Sequence, residues 1–365
     1  MDELSRFYRA EDPLVGTHLA LRWRGRVRYT VPRDGAAQQA CWKVFQPGRL
    51  GIAMRAMAGL PRMLGAEGCV ESDKLALVRE TIGREAGLSC CRAGAPGPWS
   101  KETILLLEKK TAKPQYLVKA GANAAVDSLL RNEANWLRRL REQESLSDNV
   151  PELVAHRPGS DLCFIVQRVL SGRLDFEFGE LQLDFLRKLQ RDSLQSMRYE
   201  ESRLSKNLRS RFQDLEGHLT EAWSTRLARA MRRIEESLAG RSIPLVAAHN
   251  DFTPWNIRVE CDTVRVFDWE YADDEQLPLF DLLHFTLMPM ALRNRPTDKM
   301  VQAVRKTLQL SESWIGKERC YDAETQALAY LVNLCTLYLW GAGGVAGSHP
   351  VLGSYAHLID HMLLL

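Results

Sequence analysis

The sequence predicts an α+β chain of 365 residues: a small β-rich lobe, a larger helical lobe after it, and a basic extension before it. Three observations predict this order. Residues 86–118 alternate short apolar runs with turns, as strands do, and one amphipathic stripe follows over 126–141. Residues 180–240, and most of the chain after 278, follow helical spacing. Residues 13–64 carry nine basic side chains against one acidic, Asp34, a local charge of +8 in a chain whose total is +3. With 45% hydrophobic and 26% charged residues the chain can build a core, which excludes a mainly disordered or fibrous protein. The expected division is a basic module over 1–85, a β-rich lobe over 86–170 and a helical lobe over 171–365.

In the basic module, LRWRGRVRYTVPR sets Arg22, Arg24, Arg26 and Arg28 at period two, so in a strand they share one face. Trp23, Val27 and Tyr29 take the other. GRLGIAMRAMAGL then aligns Leu50, Met54, Met57 and Leu60 on one helical face, which Pro61 should end. The arginines read as the solvated side of a half-buried strand, or as a surface for an anionic partner such as a glycan or a membrane face. The rest of the chain is mildly acidic, so nucleic acid is not expected. The opening MDELSRFYRAEDP has no apolar run, so no secretory leader is expected. Eight scattered cysteines without CxxC read as reduced thiols, and the vicinal Cys90 and Cys91 as strand neighbours facing opposite ways. The apolar run 327–347 approaches the length of a membrane span, but Asn333, Thr336 and its closing glycines fit a buried helix better. A cytoplasmic location follows, with peripheral attachment to the inner membrane face as the alternative.

The β-rich lobe reads as two strands, GLSCCRAG and ETILLLE, flanking the loop APGPWSK, and a third, YLVKA, ending near Lys119. On the stripe after it, Val126, Leu129, Leu130, Glu133, Leu137 and Leu140 lie on one face. Glu133 is thus a carboxylate on a buried stripe and needs a partner; the nearest candidate upstream is Lys119. FIVQRVLSGR reads as a further strand ending at Gly172. Downstream, PLVAAH and TVRVFDW read as two strands around the polar loop HNDFTPWN. A hairpin joining them would gather Asp251, Asn256 and Asp268 at one end. Two carboxylates and an amide oxygen are hard donors that suit Mg²⁺, which takes its remaining ligands from water and phosphate. One carboxylate can stay off the metal and orient an acceptor hydroxyl. The run Asp273, Asp274, Glu275 reads as a solvated turn, or as a surface for a cationic acceptor.

The HxDxxxxN run from His249 to Asn256, followed by DWE at Asp268, resembles the aminoglycoside phosphotransferase and choline kinase families of the protein-kinase-like fold. PLFDLLHF (278–285) resembles the element that follows DWE in them, and HNDFTPWN is similar to a loop of phosphotransferases near glycan-assembly enzymes. The resemblance covers roughly residues 86–365. It implies ATP- and Mg²⁺-dependent transfer of the γ-phosphate to a hydroxyl of a small molecule. A sugar or glycan-linked acceptor comes first, an aminoglycoside or choline-like amino alcohol second. A protein-modifying kinase is disfavoured by the ten residues between Glu270 and Asp281, too few for an activation segment; a non-catalytic anion-binding scaffold is the remaining alternative. The resemblance also assigns roles. Asp251 is the catalytic base, and Asn256 and Asp268 hold the metal. Lys119, positioned by Glu133, contacts the α- and β-phosphates. The loop 94–101 covers the phosphates with its amides and Ser100, and the segment from Gln167 through Val169 to Leu170 meets adenine through its backbone. His249 and Asp281 brace the catalytic loop. Two departures stand out: Asn250 replaces a usual glycine, and the phosphate loop has Gly94 and Gly97 but no GxGxxG.

Overall fold

The computed structural model describes residues 3–11, 16–46, 52–53, 67–82, 87–94, 97–316, 322–345 and 349–364. It divides into two compact units: Met1–Glu142 with Pro151–Leu170, and Gln143–Val150 with Ser171–Leu365. The expected helix carrying Leu50, Met54, Met57 and Leu60 lies outside the described residues.

The first unit is built on one ten-stranded sheet: β1 (Glu3–Ser5), β2 (Tyr8–Ala10), β3 (His18–Trp23), β4 (Arg26–Pro32), β5 (Glu67–Glu71), β6 (Ser89–Ala93), β7 (Glu102–Leu107), β8 (Pro114–Gly121), β9 (Leu153–Arg157) and β10 (Cys163–Arg168). Their order across the sheet is β1-β2-β5-β3-β4-β6-β7-β8-β10-β9, and every pair is antiparallel. The expected boundary at residue 85 therefore does not separate two bodies. β4 hydrogen-bonds to β6 through Tyr29↔Arg92 and Thr30↔Cys91, so the basic segment extends the sheet and closes an edge that would otherwise be open.

The arginine run is not one strand. Arg24 and Gly25, at φ of 50° and 78°, form a two-residue turn between β3 and β4. Left-handed angles at both positions match the twist of a hairpin, and glycine makes the second one cheap. Arg22 is then tied to Glu67 by two bonds of 3.0 and 2.9 Å, and Arg28 donates to the carbonyl of Gly94 at 3.0 Å.

Cys90 and Cys91 do face opposite ways. Cys90 joins Leu105, Leu107 and Val31 under the helix Gly35–Phe45, whereas Cys91 joins Tyr8, Ile104 and Tyr116 on the other face. That helix starts at Asp34, whose carboxylate accepts from Ala37 N at 2.8 Å, and it buries Trp42 and Phe45. The expectation of eight reduced thiols is corrected here: Cys41 of this helix and Cys90 of β6 form a disulfide. Helix and strand are held face to face by the surrounding cluster, which brings the two Cα atoms to 6.4 Å, within bridging range.

The helix Ala124–Arg141 follows β8, capped by the Asn123 side chain on Val126 N. Its stripe of Val126, Leu130 and Ala134 packs on Cys163 and Ile165 of β10. Gly121 ends β8 where a Cβ would collide with the Val126 side chain. β10 ends at Arg168 rather than near Gly172; one further bond, Val169 N to the carbonyl of Gln115, stays in register with β8.

The second unit is mainly helical, with helices Glu180–Arg191, Arg203–Asp214, Glu221–Leu238, Phe280–Leu292, Thr297–Ile315, Ala323–Gly341 and Leu352–Met362. Five short strands join them: β11 (Gln195–Arg198), β12 (Ser242–Ala248), β13 (Ile257–Glu260), β14 (Thr263–Val266) and β15 (Asp273–Gln276). β12 lies between β11 and β15, while β13 and β14 pair as a separate hairpin. The apolar run 327–347 falls largely in Ala323–Gly341, whose residues 325–332 are all buried. Among the described residues, no helix is long and apolar enough to cross a membrane.

Candidate active site

In the first unit, β8 sets Lys119 opposite Thr103 of β7 and Ile165 of β10. Directly paired residues share a sheet face, so Lys119 lies on the face that Ile165 presents to the helix Ala124–Arg141. Its Nζ donates to both oxygens of Glu133, at 2.7 and 2.8 Å, and Glu133 is fully buried. Gln167 Nε2 donates to the same carboxylate at 2.8 Å. The charge on the apolar stripe is therefore matched by a cation and an amide, which is what its burial requires. Val169 N donates to Gln115 O at 3.1 Å, so the start of the segment after β10 is held against β8. At the end of β6, a recess of about 320 Å³ is lined by Arg92, Gly94, Gly97, Ser100, Lys101 and Thr103. Ser100 N closes a tight turn on Gly97 O at 3.0 Å, so Ser100 sits on the recess wall with its amide spent.

In the second unit, Asn256 is brought toward Asp268 by the β13–β14 hairpin, not by one joining β12 to β14 as the sequence predicts. Ile257 pairs with Val266, and Phe267 N donates to Asn256 O at 3.1 Å. This places Asn256 beside the residue that precedes Asp268. Asn256 Nδ2 donates to Asp251 Oδ2 at 2.8 Å and to Asp251 O at 3.0 Å. Its donors are thus used on Asp251, and its Oδ1 is the acceptor left over. Asp268 is half-buried and left-handed, at φ 74° and ψ 54°. Side chains other than glycine adopt that conformation at a cost, and such residues cluster at functional sites.

The loop is fixed from behind. Asp281, fully buried at the start of Phe280–Leu292, accepts His249 N at 2.7 Å and Asn250 N at 2.9 Å. Burial pushes the Asp281 carboxyl up, while His249 and the two amides pull it back. Asn250 has φ 63°, so asparagine takes the turn that glycine would, and its Nδ2 bonds Tyr271 O at 2.9 Å. His249 accepts Asp251 N at Nδ1, 3.2 Å, and so is protonated at Nε2, which donates to Phe267 O at 3.0 Å. Its ring packs edge-on to Trp269 at 4.6 Å.

Sequence reasoning missed His284, whose Nε2 lies 3.1 Å from Asp251 Oδ1. The signal was present: His284 stands three residues after Asp281 on one helix, hence on the same face. Tyr271 was missed too. Burial, with the charges of Glu270, Asp268 and Asp251, pushes its phenol up. The acidic run is neither a solvated turn nor an open surface. It forms β15, and Arg203 contacts the carboxylates of Asp273, Asp274 and Glu275.

The residues fit the chemistry of a metal-nucleotide site: a leftover amide oxygen, a half-buried carboxylate beside it, and a separate carboxylate held by donors. Comparison with known proteins gives the family and the fold. The model of the phosphotransferase enzyme family (APH) matches residues 93–310, more than half of the chain. The fold is similar to that of a thermostable mutant of aminoglycoside phosphotransferase APH(4)-Ia in its apo form, at 13% identity and TM-score 0.52, over 79% of this chain and 98% of that one. A ternary complex of such a mutant with ADP and hygromycin B matches at 13% identity and TM-score 0.51, over 80% and 98%. A choline/ethanolamine kinase family protein from Mesorhizobium loti matches at 15% identity and TM-score 0.46, over 75% and 85%. No curated protein matches the sequence significantly. The chain belongs to the phosphotransferase enzyme family and is a phosphotransferase of the kinase-like α+β fold.

Proposed function

We propose that this enzyme transfers the γ-phosphate of ATP to a hydroxyl of a sugar or glycan-linked small molecule. The observation that carries the transfer is the Asp251 carboxylate, held by Asn256 and His284 and braced through Asp281. Asp251 receives the proton of the acceptor hydroxyl, whose oxygen attacks the γ-phosphorus; the bond to the bridging oxygen breaks and ADP leaves. Lys119 holds the α- and β-phosphates. The Gly94–Gly97 loop and Ser100 cover the phosphates, and the Val169 carbonyl and Leu170 amide meet the adenine edge. Asn256 and Asp268 would hold Mg²⁺, which when bound offsets phosphate charge. ATP as donor is supported by the ADP complex of the APH(4)-Ia neighbour.

The acceptor class is supported by what surrounds Asp251. A cationic acceptor needs free carboxylates, and those of β15 are engaged with Arg203. Two partly exposed rings lie in this part of the chain, Trp255 within the loop at 36% and Tyr271 after DWE at 39%. Aromatic faces with polar edges suit the mixed apolar and hydroxyl faces of a sugar.

The test is ATP consumption against sugars, aminoglycosides and amino alcohols, with mass spectrometry of the products. A phosphorylated sugar is expected; turnover confined to amino compounds overturns the acceptor class. Asp251→Ala should lose turnover by at least about 10²-fold while Mg·ATP still binds, whereas Asp268→Ala should lose Mg·ATP binding. Wild-type turnover in the first variant removes the assignment of Asp251.

A further inference from the structure

Three helices of the second unit converge on Asp251. On Phe280–Leu292, Asp281 fixes the amides of His249 and Asn250, and one turn later His284 reaches the Asp251 side chain. His284 is 2% exposed. Behind it, the Tyr330 hydroxyl of Ala323–Gly341 lies 3.2 Å from His284 Nδ1. The Tyr355 hydroxyl of Leu352–Met362 lies 3.1 Å from that of Tyr330. Both tyrosines are fully or almost fully buried, and burial pushes both phenols well up, so they keep their protons and can donate.

Donor logic orders the chain. An ionised carboxylate only accepts, so His284 must donate from Nε2. Its Nδ1 then accepts from Tyr330, and the Tyr330 oxygen accepts from Tyr355. Each donor points toward Asp251. His284 takes Oδ1 and Asn256 takes Oδ2, which fixes the plane of the carboxylate and leaves lone pairs on both oxygens for the acceptor hydroxyl.

We propose that His284, backed by Tyr330 and Tyr355, is a positioning residue that sets the orientation of the Asp251 carboxylate for phosphoryl transfer. This rests on the reading of Asp251 given above. The imidazole proton stays in place throughout: the hydroxyl proton goes to Asp251, the oxygen bonds the γ-phosphorus, and the electrons of the broken bond leave with ADP. A carboxylate misplaced by a fraction of an ångström costs rate, not nucleotide affinity.

The experiment measures ADP formed from Mg·ATP by the full chain, with water as acceptor and with any hydroxyl compound the wild type phosphorylates. His284→Leu removes the donor and should lower kcat about 10²-fold with KM for ATP within about twofold. His284→Gln restores an N–H near the Nε2 position and should recover most of the loss. Tyr330→Phe keeps the imidazole but frees its orientation, and should lower kcat by a smaller factor at unchanged KM. Thermal melting separates these effects from unfolding. If His284→Leu fails to fold, the ordering of wild type, His284→Gln and Tyr330→Phe decides. A His284→Leu enzyme with wild-type kcat, or variants that change only KM, overturns the proposal. An inactive wild type, or a fully active Asp251→Ala, instead overturns the reading beneath it.

Discussion

Lys119 and Glu133 form a buried ion pair on which stability rests, and the proposed function gives the same pair a part in holding the nucleotide. Glu133 has no exposed surface, and its charge is met by Lys119 and by Gln167. Removing the cation alone strands a buried carboxylate, which costs roughly 3–5 kcal/mol. Lys119→Met should therefore unfold at markedly lower urea. Adding Glu133→Gln neutralises the stranded charge while still accepting from Gln167, so Lys119→Met/Glu133→Gln should regain most of the stability. Neither variant should bind ATP as the wild type does. Equal unfolding midpoints for the single and double variants would sink the coupling. Here the sequence was informative, because a carboxylate on an apolar helical stripe demands a partner wherever the fold goes. It placed Gln167 in the adenine segment by its backbone and gave no sign that the side chain would meet Glu133, which shows only once β10 is paired with β8.

At the scale of elements, the strands of the basic segment are sewn to β6 by buried polar groups. His18 on β3 contacts Ser89 O on β6 at 3.0 Å through Nε2 and Thr17 Oγ1 at 2.8 Å through Nδ1. Tyr8 of β2 meets Ser89 Oγ at 2.7 Å, and Glu71 of β5 lies 3.8 Å from His18. Burial lowers the pKa of His18 below the ordinary imidazole value, against the opposing pull of Glu71, and Arg79 adds to the lowering. The sign follows. Below about pH 6.5 the unfolded chain takes up a proton that the folded chain refuses, so the first unit loses stability as pH falls. Melting temperature should fall between pH 7.5 and 5.5, and His18→Gln should flatten that slope; an unchanged slope in the variant rejects His18 as its source. The sequence left these contacts hidden for a physical reason. Period-two arginines predict a strand, but only the left-handed pair Arg24–Gly25 reveals a hairpin, and only long-range pairing brings residue 18 to residue 89. By contrast, HxDxxxxN and DWE were legible because their spacing is set by a short local loop. Even there the joining hairpin differs, since Ile257 and Val259 of β13 are too short a run to stand out as a strand between the loop and TVRVFDW.

For the molecule, the charge asymmetry takes on a structural meaning. The family match begins at residue 93, yet the described strands before it complete the sheet on which β6–β8 depend. Arg28 holds the carbonyl of Gly94 at the start of the loop proposed to cover the phosphates, and Arg22 is spent on Glu67, leaving Arg24 and Arg26 at the hairpin tip. The helix Gly35–Phe45 covers Leu105 and Leu107 with Trp42 and Phe45, each worth roughly 1.5–3 kcal/mol when buried. The Cys41–Cys90 disulfide ties that cover to β6 across 49 residues of chain, which by itself adds about 2–4 kcal/mol. A chain lacking residues 1–85 would expose the apolar face of β6 and β7 together with the open edge of β6, and such edges pair with other chains. We therefore expect it to associate or precipitate in light scattering, at concentrations where the full chain stays dispersed, and to lose Mg·ATP binding. A soluble truncated monomer with full Mg·ATP affinity would show that the extended sheet is dispensable. Arg28→Ala provides the finer cut: it should leave the sheet folded but free Gly94, raising KM for ATP several-fold without shifting the melting temperature by more than a few degrees, because a single part-buried bond contributes only about 1 kcal/mol.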